Sequence, residues 1–173
     1  MVKLPSVGVA ALRGAITSEE GNALGRVWFP PDNWYQSLSS VKYTSDAAII
    51  ETMRRAGARI SGTAITMVLR YLGGIREHWR LQPRGIPEGF RALLDAVESA
   101  LDEELGSDTR KTPHITVSVR SPLEILRRAI RPVAWTLDEI FLIEGAGSPY
   151  QHDVLNSCAL APHASHSHRH LSN

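Results

Sequence analysis

Short apolar runs alternate along this chain with stretches of helical periodicity, divided by Pro, Gly and polar clusters. Val7 to Leu12 is apolar without helical punctuation and predicts a buried strand. Ser18-Glu19-Glu20 offers an N-cap and an acidic first turn for a helix running toward Trp28. Pro30-Pro31-Asp32 breaks the chain, and Trp34 to Val41 reads as a strand whose pleat puts Tyr35 and Ser37 on one face. Ser45 is placed to cap a helix from Asp46 to Ala56, with Ile49, Ile50 and Met53 on one side and Gly57 as its C′ residue. Ala58 to Leu72, rich in Ile, Val, Thr and Tyr, predicts a strand or a strand pair.

In the second half His78 to Leu81 predicts a strand after Gly73-Gly74, and Pro87 suits the first position of a helix. Phe90, Leu93, Leu94, Val97, Leu101 and Leu105 recur at helical spacing up to Gly106. From Thr112 to Arg120 apolar and polar residues alternate. The strand this predicts has a wet face carrying His114, Thr116, Ser118 and Arg120, and a dry face carrying Ile115, Val117 and Val119. Val133 to Glu144 reads as one long strand and Tyr150 to Leu160 as the last. The order of strands and helices indicates an α+β protein with antiparallel or mixed sheets and helices on one side.

Composition narrows the function classes. Of 173 residues, 43% are hydrophobic and 21% charged, enough for one core or two small lobes sharing an interface. Nineteen Lys+Arg against eighteen Asp+Glu leave a net charge of +1, which argues against binding nucleic acid by bulk electrostatics. A phosphate site must then be local. One cysteine, Cys158, excludes an intramolecular disulfide and a Cys-based zinc cage. The N-terminal apolar run is short and broken by Pro5, Gly8 and Arg13, so neither a signal peptide nor a membrane span is expected and the protein is placed in the cytoplasm. His163, His166, His168 and His170 lie among small polar residues, which predicts a disordered tail over 161–173 beyond a domain of residues 1–160. No metal and no cofactor are expected; glycine-rich phosphate loops of the GxGxxG and Walker types are absent.

His114 and Thr116 are the strongest chemical signal, because period-two geometry sets an imidazole and a hydroxyl side by side on an exposed face. Opening a cyclic phosphodiester needs a base to activate water and an acid to protonate the leaving oxygen, and histidine suits either task. Hydroxyls beside it can donate to the non-bridging oxygens. A histidine on a strand is also often structural, so the pair does not decide the matter.

Thr112-Pro113-His114-Ile115-Thr116-Val117 resembles the second signature of the 2H phosphoesterases, the LigT-like or 2′-5′ RNA ligase group. The similarity continues through Ile130 to Glu144 and the turn Gly145 to Tyr150, which look like the family's closing strands. The earlier His-x-Thr/Ser signature matches Asn33-Trp34-Tyr35-Gln36-Ser37-Leu38, with Tyr35 standing where the first histidine belongs.

The resemblance implies a two-lobed α+β fold, with two antiparallel sheets lining a central cleft and helices packed outside. It implies a metal-independent phosphodiesterase that opens 2′,3′-cyclic phosphate ends, or acts on 2′-5′ linkages, of RNA or small nucleotides, working as a monomer. His114 would be the base, Tyr35 a weakened acid, and Thr116 and Ser37 the hydroxyls beside them. Arg120 is suited to phosphate or a base edge, or to a solvated strand end; Tyr150 to stacking on a nucleobase, or to a structural place in its turn. The alternative function is a nucleotide- or RNA-binding module that keeps the cleft but has lost catalysis at Tyr35.

Overall fold

The computed structural model describes residues 1–3, 9–10, 13–14, 29, 33–39, 44–75, 78–105, 111–119, 124–146 and 151–162. Among them are eight strands and two longer helices. In order these are β1 (Val2–Lys3), β2 (Tyr35–Gln36), α1 (Ala47–Arg59), β3 (Ile65–Ile75), β4 (His78–Pro83), α2 (Phe90–Leu105), β5 (Ile115–Val119), β6 (Ile125–Leu137), β7 (Glu139–Ala146) and β8 (Gln151–Ala159).

Four strands pair antiparallel in the order β5-β4-β3-β6. The remaining pairs, β1-β2 and β7-β8, are also antiparallel. Met1 and Phe141 join them by exchanging both backbone bonds, each 2.6 Å, the signature of an antiparallel hydrogen-bonded pair. The result is a second sheet in the order β2-β1-β7-β8. An α+β fold with two antiparallel sheets, as expected, is therefore what the chain adopts.

The strongly periodic elements form where the pattern places them. α2 buries Phe90, Leu93, Leu94 and Val97 in one core with Met67, Leu69, Leu72, Trp79, Leu81, Ile115 and Trp135. Its first residue is Phe90 and not Pro87, because Gly89 sits at φ +77° and holds the chain in a turn before the helix. α1 is capped by Asp46, whose side chain accepts the Ala48 N–H at 2.8 Å, in place of the expected Ser45. It also runs past Gly57 to Arg59, whose guanidinium donates to the Ala100 carbonyl of α2.

Other expectations change. Val9 and Ala10 are helical, against the strand predicted over Val7 to Leu12; Ala, Leu and Arg around them are good helix formers, and β1 lies earlier. The helix predicted from Ser18 toward Trp28 lies outside the described residues. The single strand predicted over Val133 to Glu144 is two, broken at Asp138. The first begins at Ile125 and tolerates Pro132 because β6 is a sheet edge. Chain pairing continues through Ala161, which bridges Thr63 in parallel, and 163–173 lie outside the described residues. Among the described residues no helix is long and apolar enough to cross a membrane.

Candidate functional site

The site is built where the two sheets meet, at β2 and β5. In β4 half-buried His78, Arg80 and Gln82 alternate with buried Trp79, Leu81 and Pro83. Arg80 pairs directly with Thr116 on β5, and His114 stands two positions before Thr116, both half-buried around fully buried Ile115. Directly opposed residues of an antiparallel pair share a face, so His114, Thr116 and Arg80 belong to one polar surface.

That surface ends sooner than the alternation predicts. Trp79 pairs with Ser118 and Arg80 with Thr116, so Val117 is an extra residue on β5. The bulge flips the alternation beyond it. Ser118, expected on the wet face, is 0% exposed and opposite buried Trp79. Arg120 and Tyr150 lie outside the described residues.

Tyr35 and Ser37 flank Gln36 on β2 and just beyond it. Tyr35 and Ser37 are half-buried, while Gln36 is fully buried between Trp34 and Leu38. The inward-facing glutamine joins the two motif segments. Its carbonyl oxygen accepts the His114 backbone N–H at 2.5 Å, and its amide nitrogen donates to the Ser37 carbonyl at 2.7 Å and, more weakly, to that of Thr112 at 3.5 Å. A buried amide with these partners fixes the entry to β5 relative to β2. Tyr35 packs its ring edge-to-face on His152 of β8, with centroids 4.8 Å apart and planes at 66°.

His114 has its tautomer set by the backbone. Nδ1 lies 2.8 Å from the Thr112 carbonyl oxygen, which can only accept, so Nδ1 carries the proton and the neutral ring keeps its lone pair on Nε2. Burial lowers the His114 pKa from its ordinary value. The Thr112 bond opposes that shift, and the charges of Arg80, His78 and Lys111 add to it. The arrangement provides a neutral imidazole at physiological pH beside a hydroxyl and a guanidinium. Among the described residues no three His, Cys, Asp or Glu are grouped to hold a metal ion.

Sequence reasoning missed Gln36, His78, Arg80 and His152 around this site. For Gln36 a signal existed: the pleat that exposes Tyr35 and Ser37 must turn the residue between them inward, and a buried amide has to bond something. The others depend on strand pairing that a linear pattern does not display.

The fold, a four-stranded antiparallel sheet bearing His-x-Thr beside a second antiparallel sheet with helices packed against them, is similar to the folds of LigT and of a phosphoesterase. The E. coli LigT apo structure superposes at TM-score 0.75 and 21% identity, over 92% of this chain and 94% of that one. A crystal structure of a phosphoesterase gives TM-score 0.73 and 19% identity over 92% and 95%. TT0787 of Thermus thermophilus gives 0.69 and 21% over 93% and 96%. At these identities the likeness is one of fold. No family model and no curated protein matches the sequence.

Proposed function

We propose that this chain is a 2H-type phosphoesterase that opens 2′,3′-cyclic phosphate ends, or acts on 2′-5′ linkages, of RNA or small nucleotides by metal-independent acid–base chemistry. The observation that carries the reading is His114, whose Nδ1 proton is committed to a carbonyl so that Nε2 is its basic nitrogen, with half-buried Thr116 two positions further along the chain. Nε2 takes a proton from water as the water oxygen bonds to phosphorus. The bond from phosphorus to the 2′ or 3′ oxygen breaks, and that oxygen takes the Tyr35 hydroxyl proton. Thr116 and Ser37 donate to the non-bridging oxygens, where charge gathers. Arg120 at phosphate or a base edge and Tyr150 against a nucleobase complete the proposal. E. coli LigT has been crystallised with 3′-AMP and with phosphate, which supports a nucleotide phosphate as the ligand here. The protein is proposed to act as a cytoplasmic monomer.

Tyr35 sets the rate. A phenol titrating near pH ~10 is a reluctant acid, and a missing general acid costs about 10²–10⁴-fold. The same residue favours the second reading, a binding module whose catalysis has lapsed. Incubation of the purified protein with a 2′,3′-cyclic nucleotide in EDTA, alongside calorimetry with 2′-AMP, 3′-AMP and short RNA, separates the two. Slow ring opening supports the enzyme; binding without turnover supports the module. Neither binding nor turnover overturns both.

A further inference from the structure

We propose that Arg80 is an anion-binding cation of this site, gripping the non-bridging oxygens of the phosphate. The identity of the anion rests on the phosphoesterase reading; the role of Arg80 rests on its own surroundings.

Arg80 is held on the polar face between buried Trp79 and Leu81, directly across from Thr116. Its Nε is buried and has no hydrogen-bond partner, an unspent donor in a place from which water is excluded. Among the described residues the ion pair is that of Arg54 with Glu51, so none of the described carboxylates takes the Arg80 charge. On the other side of β4 its partner is Gly73, which adds no side chain to compete for the guanidinium. Burial lowers the Arg80 pKa, yet a guanidinium stays charged at neutral pH. A planar fork of donors beside a hydroxyl suits two oxygens of one phosphate, and a fixed cation suits a diester that carries a single negative charge.

The groups facing His114 are Arg80 and His78 from β4, Lys111 and the Thr112 carbonyl from its own segment, and the neutral Gln36 amide from β2. In the free protein the Arg80 charge disfavours a proton on His114. A phosphate placed on Arg80 offsets that charge, so the base becomes stronger when substrate is present.

The test uses the full chain with Arg80→Gln and Arg80→Lys, inorganic phosphate and 3′-AMP as probes, calorimetry for affinity, and NMR titration of the His114 ring. The expected results are an about 10- to 100-fold loss of affinity in Arg80→Gln, the scale of a charged hydrogen bond, and partial retention in Arg80→Lys. The ligand-free His114 midpoint should rise in Arg80→Gln, and phosphate should raise the midpoint in the wild type but not in that variant. Should Arg80→Gln fail to fold, Arg80→Lys carries the comparison, because its point charge cannot reproduce the fork. Wild-type affinity in both variants, an unmoved His114 midpoint, or no phosphate binding by the wild type overturns the inference. If phosphate binds through Arg80 but no cyclic nucleotide is opened, the enzyme reading fails and Arg80 stands. If ring opening proceeds undiminished in Arg80→Gln, Arg80 fails and the enzyme reading stands.

Discussion

A histidine that serves as a base must be free of its second proton at working pH, and His114 meets that demand through burial and a positively charged neighbourhood. With His114 as the proposed base, turnover requires the neutral ring, so the acid limb of kcat/KM should fall below the ordinary histidine value of about 6.5. The folded ring binds its proton less readily than the unfolded one. Its contribution to stability is therefore whole above about pH 6.5 and is lost as the pH falls through the lowered value, a dependence that His114→Asn should flatten in denaturation curves recorded across that range. Gln36 yields a second expectation. Gln36→Leu leaves the His114 N–H without its partner in a buried place and should cost about 1–3 kcal/mol by urea denaturation. An unchanged midpoint would mean that the glutamine does not join the two segments. His114 and Thr116 were readable from sequence because their spacing alone places them on one face. Arg80 and His152 were not, since each enters the site through a partner strand.

At the level of elements, pairing imposes what periodicity cannot. α2 was legible because its six apolar positions mark one helical face over four turns, a pattern with one structural solution. Ser118 was misread because a bulge depends on which strand lies alongside. The break at Asp138 was missed because residues on both sides of it are equally strand-forming. Gly74 shows how closely β3 and β4 approach: a Cβ there would run into the His78 carbonyl oxygen and lie 2.6 Å from the Trp79 Cα. Neither is the end of a flexible side chain. Gly74→Ala should therefore cost at least about 1–3 kcal/mol, the range for forcing an extra methyl into a filled space, and should disturb His78 and Arg80 on the next strand. Denaturation together with phosphate calorimetry measures both effects.

For the whole molecule, two antiparallel sheets meet along β2 and β5, and the polar groups of interest gather at that seam. The two-sheet α+β plan was legible from the order of elements and the signature around His114. Joining β1 to β7 through Met1 and Phe141 was not, because those residues are far apart along the chain. A net charge of +1 means that nucleotide binding should respond weakly to salt. On a log–log plot the slope should be about −0.7 for a single locally neutralised phosphate on a single strand, by calorimetry between low and moderate salt. A steep slope would indicate an extended nucleic-acid surface instead.

Whether His114 is a working base facing a phosphodiester is decided by ring opening of a 2′,3′-cyclic nucleotide in EDTA by the wild type, His114→Ala and Tyr35→His side by side. Expected are slow turnover by the wild type, a loss of about 10²-fold or more in His114→Ala, and a clear gain in Tyr35→His. Equal rates in the wild type and His114→Ala, or no turnover by any of the three, would contradict that role.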